Sequence, residues 1–145
     1  MIRIVLDTNV LVSAILIPQS KPAKILTLAR EGRIRLIFSV NTLKELYQVL
    51  HYSRLLALIK KKGISLNLID DFLKNIAQSA IITAGKIKVK VIIEDPADNM
   101  FLACAVEGQV DFIVSGDQHL KNLKIFQGIT IVDPAKFLKT ISDIS

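Results

Sequence analysis

Two aspartates in this sequence each follow a short apolar run that has the character of a buried strand. Asp7 ends the run Ile2–Leu6, and Asp117 comes just after Phe112–Val114. Open α/β sheets bind their ligands at the carboxyl ends of such strands. A carboxylate among apolar side chains is costly unless a cation or several hydrogen bonds compensate its charge. Each aspartate is therefore either a metal ligand or the cap of the helix or turn that follows it.

Two further acids lie on segments with helical periodicity. Asp98 heads an apolar stripe that includes Phe101, so its side chain is predicted to point toward the sheet, although the helix dipole alone also favours an acid in the first turn. Glu45 lies at the edge of another apolar stripe, where an ordinary solvated side chain is the simpler explanation. As a group, the four acids are candidate catalytic residues and metal ligands: Asp7, Glu45, Asp98 and Asp117.

Four polar residues near these acids are candidate supporting residues: Thr8, Asn9, Ser115 and Asp95. Thr8 and Asn9 can orient the carboxylate of Asp7 or simply begin a helix. The Ser115 hydroxyl can hold a carboxylate or a metal-bound water, or be an ordinary polar group at a strand end. Asp95 is better explained as the N-cap of the next helix than as a metal contact.

Other kinds of catalytic centre have little support in the residues present. The chain has two histidines and one cysteine, so a histidine-based metal site, a Ser-His-Asp set and a zinc site are not expected. His119 is close to Asp117 in the sequence, but a lone histidine is more often structural. Cys104 lies in the apolar run Met100–Val106 and is predicted to be a buried, inert thiol. No glycine-rich loop that would cradle a phosphate is visible.

The elements that would position the four acids alternate regularly along the chain. The predicted strands are 2–6, 34–38, 81–83, 112–114 and 129–132, and the predicted helices are 9–16, 21–32, 39–50, 54–62, 65–76, 95–106 and 134–141. The segment Lys86–Ile93 alternates lysine with apolar residues and indicates an exposed edge or a connection. Strands separated by helices predict an α/β fold, with a central parallel sheet and helices on both faces.

The composition is that of one ordinary domain, spanning residues 1–145, with a full core. Hydrophobic residues make up 51% of the chain, yet no apolar stretch is long enough to cross a bilayer. The N-terminus does not resemble a signal peptide, because Asp7 interrupts the apolar run and no basic region precedes it. With a single cysteine, these features favour a cytoplasmic protein that has no membrane partner.

The charge favours a polyanionic partner. The formal net charge is +6 and the sequence pI is about 9.6, which modestly favours nucleic acid. If four of the 13 acids gather in one site, nine remain on a surface that carries 19 basic residues. An acidic pocket within a basic surface suits a polyanion held near metal ions.

The acids and their neighbours resemble those of the PIN domain family. Ile4–Leu11 is similar to the opening strand and first acid of that family, and Thr42–Leu46 to the segment of its second acid. Asp95–Ala103 resembles the helix of the third acid, and Ser115–Asp117 resembles the end of the final strand. The likeness extends over essentially the whole chain. The subgroup that it most resembles comprises VapC-type toxins of toxin–antitoxin pairs.

The resemblance implies a metal-dependent, single-strand-specific endoribonuclease that is the toxin of such a pair. Asp7, Glu45, Asp98 and Asp117 would bind one or two Mg²⁺ or Mn²⁺ ions, and a metal-activated water would hydrolyse the RNA phosphodiester. Glu45 would be a ligand or a base that orients the water. The implied partners are RNA, a cognate antitoxin protein and a second copy of the chain in a homodimer.

Several alternatives remain open. The same fold could process RNA in a role other than toxicity, or bind RNA or a protein without cleaving it. A haloacid-dehalogenase-like phosphatase also begins with an apolar strand that ends in aspartate, but it uses a second aspartate where this chain has Asn9. The basic clusters Lys60–Lys62 and Lys86, Lys88 and Lys90 are either RNA contacts or solvated faces.

Overall fold

Strands and helices alternate along the chain in the computed structural model, which describes residues 1–91 and 96–144. The strands are β1 (Ile2–Leu6), β2 (Ile34–Ser39), β3 (Ile81–Thr83), β4 (Phe112–Val114), β5 (Ile125–Phe126) and β6 (Ile129–Val132). The helices are α1 (Thr8–Leu16), α2 (Lys21–Arg30), α3 (Val40–Leu50), α4 (Ser53–Lys61), α5 (Leu66–Ser79), α6 (Asn99–Glu107), α7 (Gln118–Leu123) and α8 (Pro134–Ile144). A 3-10 turn, Pro96–Asp98, directly precedes α6. Within these ranges no helix combines the length and the apolar character that crossing a membrane requires.

A six-stranded sheet with the order β3-β2-β1-β4-β6-β5 forms the centre of the molecule. Every neighbouring pair is parallel except β5 and β6, which form an antiparallel hairpin. Ile4 and Leu6 pack into one hydrophobic cluster and Val5 into another, because alternate residues of a strand face opposite sides of the sheet. Helices therefore cover both faces, and the predicted α/β fold with a central parallel sheet is confirmed.

The topology places the carboxyl end of β1 beside that of β4. After β1 the chain builds β2 and β3 on one side of it, and then crosses over to build β4 and β6 on the other side. The boundary between β1 and β4 is thus a topological switch point, where open α/β sheets form their binding clefts. The pairing continues one step beyond the strands, since the N–H of Asp7 donates to the carbonyl of Val114 at 3.1 Å. Asp7 and the segment after Val114 are therefore held side by side.

Most predicted elements agree with the observed ones to within a few residues, but the start of α6 differs. The helix begins at Asn99 rather than at Asp95, so Asp98 occupies the N-cap position instead of a position within the first turn. The reason is local, since a single 3-10 turn replaces the first turn of the expected α-helix. Asp95, predicted as the cap, lies outside the described residues. At the other end, α6 stops at Glu107, one residue beyond the predicted end at Val106.

Two other segments depart from the prediction. Of the segment Lys86–Ile93, residues 86–91 form neither a helix nor a strand, and the remainder lies outside the described residues. The sequence pattern does not predict β5, because two residues are too few to show a period. Its turn into β6 consists of Gln127 and Gly128, whose φ angles of 49° and 81° are the positive values that a two-residue hairpin turn requires. Besides these differences, α1 begins one residue early, at Thr8.

Gly108 allows the end of α6 to lie close against β2. A Cβ at this position would lie 2.4 Å from Cγ2 of Ile37 and 3.1 Å from the carbonyl oxygen of Cys104. Because Ile37 is fully buried, Gly108→Ala should lower the free energy of unfolding by about 1–3 kcal/mol, measured by urea denaturation. Gly116→Ala is the matched control, since a Cβ there meets nothing within 4 Å, and its effect should be below about 0.5 kcal/mol. Equal stabilities would contradict this close packing.

Candidate active site

Asp7 is the residue around which the site is built. It follows β1 in an extended conformation and caps α1, with its Oδ1 accepting a hydrogen bond from the N–H of Val10 at 2.9 Å. Its Oδ2 accepts a short hydrogen bond from the hydroxyl of Ser115. The Asp7 side chain is only 5% exposed, and it lines a cleft at the carboxyl edge of the sheet. Asp7 can therefore be both a helix cap and a metal ligand, because one oxygen caps α1 while the carboxylate also faces the cleft.

Ser115 connects Asp7 to the next acid along this edge. It is fully buried after β4, and its Oγ also accepts a hydrogen bond from the N–H of Asp117 at 2.9 Å. Asp117 in turn caps α7, with Oδ1 accepting from the N–H groups of His119 at 2.8 Å and Leu120 at 3.3 Å. One serine thus sets the separation of the two strand-end aspartates. These two hydrogen bonds support the prediction that Ser115 is a supporting residue of the site.

Glu45 reaches the same cleft from α3. A capping box between Ser39 and Thr42 begins this helix directly at the end of β2, which places Glu45 one turn further along. The hydroxyl of Thr8, in the first turn of α1, donates to Oε2 of Glu45 at 2.7 Å. Val49, one helical turn after Glu45, also lines the cleft. Thr8 therefore holds the carboxylate of Glu45 in a defined orientation toward the cleft.

Asp98 enters from the remaining side, at the start of α6. Its side chain is 9% exposed, and Ala97 and Phe101 line the cleft beside it. A carboxylate oxygen of Asp98, one of Asp117 and a ring nitrogen of His119 all lie within 4.8 Å of one another. Oxygen and imidazole donors at this separation suit a divalent metal ion. The expectation that Asp98 points inward thus agrees with its position, although its helix begins later than predicted.

The cleft has a volume of about 140 Å³. A water molecule occupies about 30 Å³ in the liquid, so this space can hold an ion with several waters. Among the described residues, the lining contains no lysine or arginine that would neutralise the acids. The lining residues are Asp7, Thr8, Asn9, Glu45, Val49, Ala97, Asp98, Phe101 and Asp117.

Burial and neighbouring charge make ionisation of Asp7 unfavourable. Desolvation is the largest effect and raises the pKa of Asp7 above its ordinary value of 3.8, while the hydrogen bonds from Ser115 and Val10 lower it. The charges of Asp117 and Glu45 raise the pKa of Asp7 further. Desolvation and repulsion together outweigh the hydrogen bonds. A bound cation would oppose both unfavourable effects, so the donor set fits a hard divalent metal ion.

The structure thus brings all four predicted acids to one cleft, together with Thr8 and Asn9. Sequence reasoning gave His119 no role, although its place two residues after Asp117 was the available signal. Its Nδ1 lies 3.8 Å from Oδ1 of Asp117. The predicted burial of Cys104 is confirmed, and burial raises the pKa of this thiol to about 11. That thiol stays protonated at neutral pH and takes no part in the cleft.

Comparison with known proteins gives a family and a fold. A family model described as PIN domain matches residues 3–119. Among solved structures, the chain is similar to one in the crystal structure of VapBC2 from Rickettsia felis bound to a DNA fragment from their promoter. The TM-score is 0.56 and the identity is 18%, with 90% of this chain and 97% of that chain covered. At this identity the likeness concerns the fold alone. No curated protein matches the sequence.

Asp7→Asn should raise the melting temperature of the metal-free protein at pH 7. The amide keeps the cap to Val10 and removes a charge whose burial is unfavourable. Because the pKa of Asp7 is raised, the folded state binds more protons than the unfolded state, and stability falls as the pH rises above 3.8. The advantage of the variant should therefore shrink toward pH 4.

Asp133→Asn is the control for this prediction. Asp133 also caps a helix, by accepting from the N–H of Lys136 at 2.8 Å, but it lies outside the cleft. Its substitution should change the melting temperature little at either pH. A melting temperature of Asp7→Asn that falls at pH 7 and recovers in acid would contradict the account of Asp7.

Proposed function

Because the chain belongs to the PIN domain family, whose members are generally nucleases, we propose that it is a metal-dependent endoribonuclease specific for single strands. The observation that carries this proposal is the cleft that four carboxylates line, without a lysine or arginine in its described lining. The proposed reaction is hydrolysis of an RNA phosphodiester with water as the nucleophile. The four acids are proposed as its catalytic residues: Asp7, Glu45, Asp98 and Asp117.

The same acids are the proposed ligands of Mg²⁺ or Mn²⁺. Asp7 and Asp98 would bind the ion directly, Asp117 directly or through water, and Glu45 as a ligand or as the base that orients water. When bound, such an ion supplies positive charge that activates water and offsets the charge of the phosphodiester. The preference of hard cations for oxygen ligands supports the assignment, and so does the absence of a competing lysine or arginine from the described lining.

The hydrogen bonds of the site have distinct proposed roles. The Thr8 hydroxyl engages Oε2 of Glu45 and so orients this carboxylate to accept a proton from water. Ser115 holds Asp7 and the backbone of Asp117 at a constant separation. The hydrogen bond from the N–H of Val10 to Oδ1 of Asp7 keeps the Asp7 carboxylate from rotating away from the cleft. These contacts lock the rotamers of the acids before substrate binds, which a precise hydrolytic site needs.

We further propose that the protein is the toxin of a toxin–antitoxin pair. The fold that the chain shares with a chain of the VapBC2 structure supports this role. The resemblance of its sequence to VapC-type toxins supports it as well. A cognate antitoxin would then be its protein partner, RNA its substrate, a homodimer its assembly and the cytoplasm its location. An antitoxin that covers the cleft would need a cationic group there to compensate the acids.

Cleavage of a pool of RNAs that contain single-stranded regions should require Mn²⁺ or Mg²⁺ and stop with EDTA. Asp98→Asn should reduce the rate by on the order of 100-fold or more, since even outer-shell partners of a metal are worth 10- to 100-fold. Asp71→Asn, which removes an exposed aspartate on α5, is the control and should cut like the wild type. Metal should also raise the melting temperature of the wild type more than that of Asp98→Asn.

Three results would count against this proposal. Cleavage that persists in EDTA, or equal rates for Asp98→Asn and Asp71→Asn, would remove the acids from the chemistry. RNA binding without metal-dependent cleavage would instead favour a non-catalytic RNA-binding PIN module. An RNA-processing role would keep the metal dependence but show a narrow substrate range.

A further inference from the structure

A short segment of coil is fastened along α6, and we call it the lysine strap, residues 85–91. At one end the Glu107 carboxylate accepts hydrogen bonds from the N–H groups of Gly85 at 2.7 Å, Lys86 at 2.9 Å and Ile87 at 3.2 Å. At the other end the N–H of Val91 donates to Oδ1 of Asn99 at 3.1 Å. Glu107 and Asn99 are the last and first residues of α6. The strap therefore runs back along the whole helix.

The two anchors lie at opposite ends of α6, which sets the distance that the strap spans. From Asn99 to Glu107 the helix rises about 12 Å. The four steps from Ile87 to Val91 can span up to about 13–14 Å, which is enough to cover this distance. Val89 packs against the hydrophobic cluster beneath α6, whereas Ile87 and Val91 are exposed.

The three lysines of the strap are Lys86, Lys88 and Lys90, and all are exposed. In the described part of the chain they form no ion pair. They are spaced two residues apart, so they make a row of three positive charges along an anchored backbone. This row is a different arrangement from Lys60 to Lys62, which are consecutive at the end of α4 and so point in different directions.

The row leads to the cleft. Asn99, which holds the last residue of the strap, follows directly after Asp98, which lines the cleft. A polyanion bound along the lysines would therefore approach the carboxylates from the side of α6. The acids of the cleft would repel such a chain without a cation in place, so the lysines supply the attraction that the cleft itself lacks.

We propose that the lysine strap is the track along which the backbone of a single-stranded RNA lies as it enters the cleft, with Glu107 as the positioning residue of that track. The inference rests on the proposed function and specifies how its substrate is held. Lysines contact phosphates as point charges and carry no base preference, which suits binding of a backbone. Phosphate contacts of this kind also make affinity depend steeply on salt.

Glu107 is suited to this positioning role. The Thr83 hydroxyl, followed by the N–H of Gly85, lowers the pKa of Glu107 to about 2, with the N–H groups of Lys86 and Ile87 acting in the same direction against desolvation. The carboxylate therefore stays ionised at neutral pH. Successive N–H groups that surround one anion form a nest, which here is filled by the protein's own side chain.

The first test compares two triple variants in an Asp98→Asn background, so that bound RNA is not cut. Binding of a fluorescent single-stranded oligoribonucleotide is followed by anisotropy across a salt series. Changing Lys86, Lys88 and Lys90 to glutamine should reduce the slope of log K against log salt by about 2, since each contact to a single strand contributes about 0.7. The same change at Lys60, Lys61 and Lys62 should leave the slope unaltered. Equal losses in both variants, or an unchanged slope for the strap variant, would overturn the proposal.

The second test asks whether removing the negative charge of Glu107 strengthens or weakens RNA binding. Glu107→Gln removes one negative charge, so simple electrostatics predicts tighter RNA binding, as Glu31→Gln should show at the exposed C-cap of α2. The strap proposal predicts the opposite, because the amide cannot accept all three backbone hydrogen bonds and the lysine row loosens. Hydrogen exchange at Gly85, Lys86 and Ile87 should accelerate at the same time. Tighter binding by Glu107→Gln, or unchanged exchange at these amides, would overturn the positioning role.

Failure of the strap can be told apart from failure of the nuclease. If the wild type cleaves RNA with metal and the strap variant binds with an unchanged salt slope, only the strap proposal falls. If the wild type neither cleaves nor binds RNA, both proposals fall. A Glu107 variant that does not fold leaves the lysine comparison intact, since exposed lysines are not needed for folding.

Discussion

The burial of the Asp7 carboxylate at the end of β1 is the constraint on which the site depends. Its two oxygens are engaged by the N–H of Val10 and the hydroxyl of Ser115, which link β1 to α1 and to the segment after β4. Those bonds do not offset the desolvation and the repulsion from Asp117 and Glu45, as the raised pKa of Asp7 shows. The protein thus holds a group in an unfavourable environment, and a cation would relieve it.

The rest of the fold brings further charge to this point. The crossover of the chain sets the ends of β1 and β4 side by side, while α3 and α6 deliver Glu45 and Asp98 from opposite sides. The basic residues lie elsewhere, and the strap places Lys86, Lys88 and Lys90 along α6. In the proposed function, the acids of the cleft would bind the metal ion and the lysines along α6 would attract the polyanion. The chain therefore combines an acidic cleft with a net charge of +6, because its basic residues lie outside the described lining of the cleft.

The sequence predicts the parts of the site that local pattern controls. Asp7 and Asp117 follow apolar strands, so both can be placed without long-range information. Helical spacing predicts that Asp98 points inward, and Asp98 does line the cleft, although α6 begins only at the residue after it. The resemblance to the PIN domain family is also confirmed, over residues 3–119. Glu45 is different, because its partner Thr8 lies far away in sequence and only the packed fold joins them. The strap shows merely an alternation of lysines in the sequence, since its anchor Glu107 is some 20 residues distant along the chain.

Paramagnetic Mn²⁺ tests most directly whether the four carboxylates form one metal site. Added in substoichiometric amounts to ¹⁵N-labelled protein, the ion should selectively broaden the amide signals of Thr8, Asp98 and Asp117, and a large excess of Mg²⁺ should restore them. Signals of residues at the opposite edge of the sheet, such as Gly32, should stay sharp. Broadening that spares the cleft, or a spectrum that Mn²⁺ does not change, would contradict the central claim that these acids are arranged to bind a divalent metal.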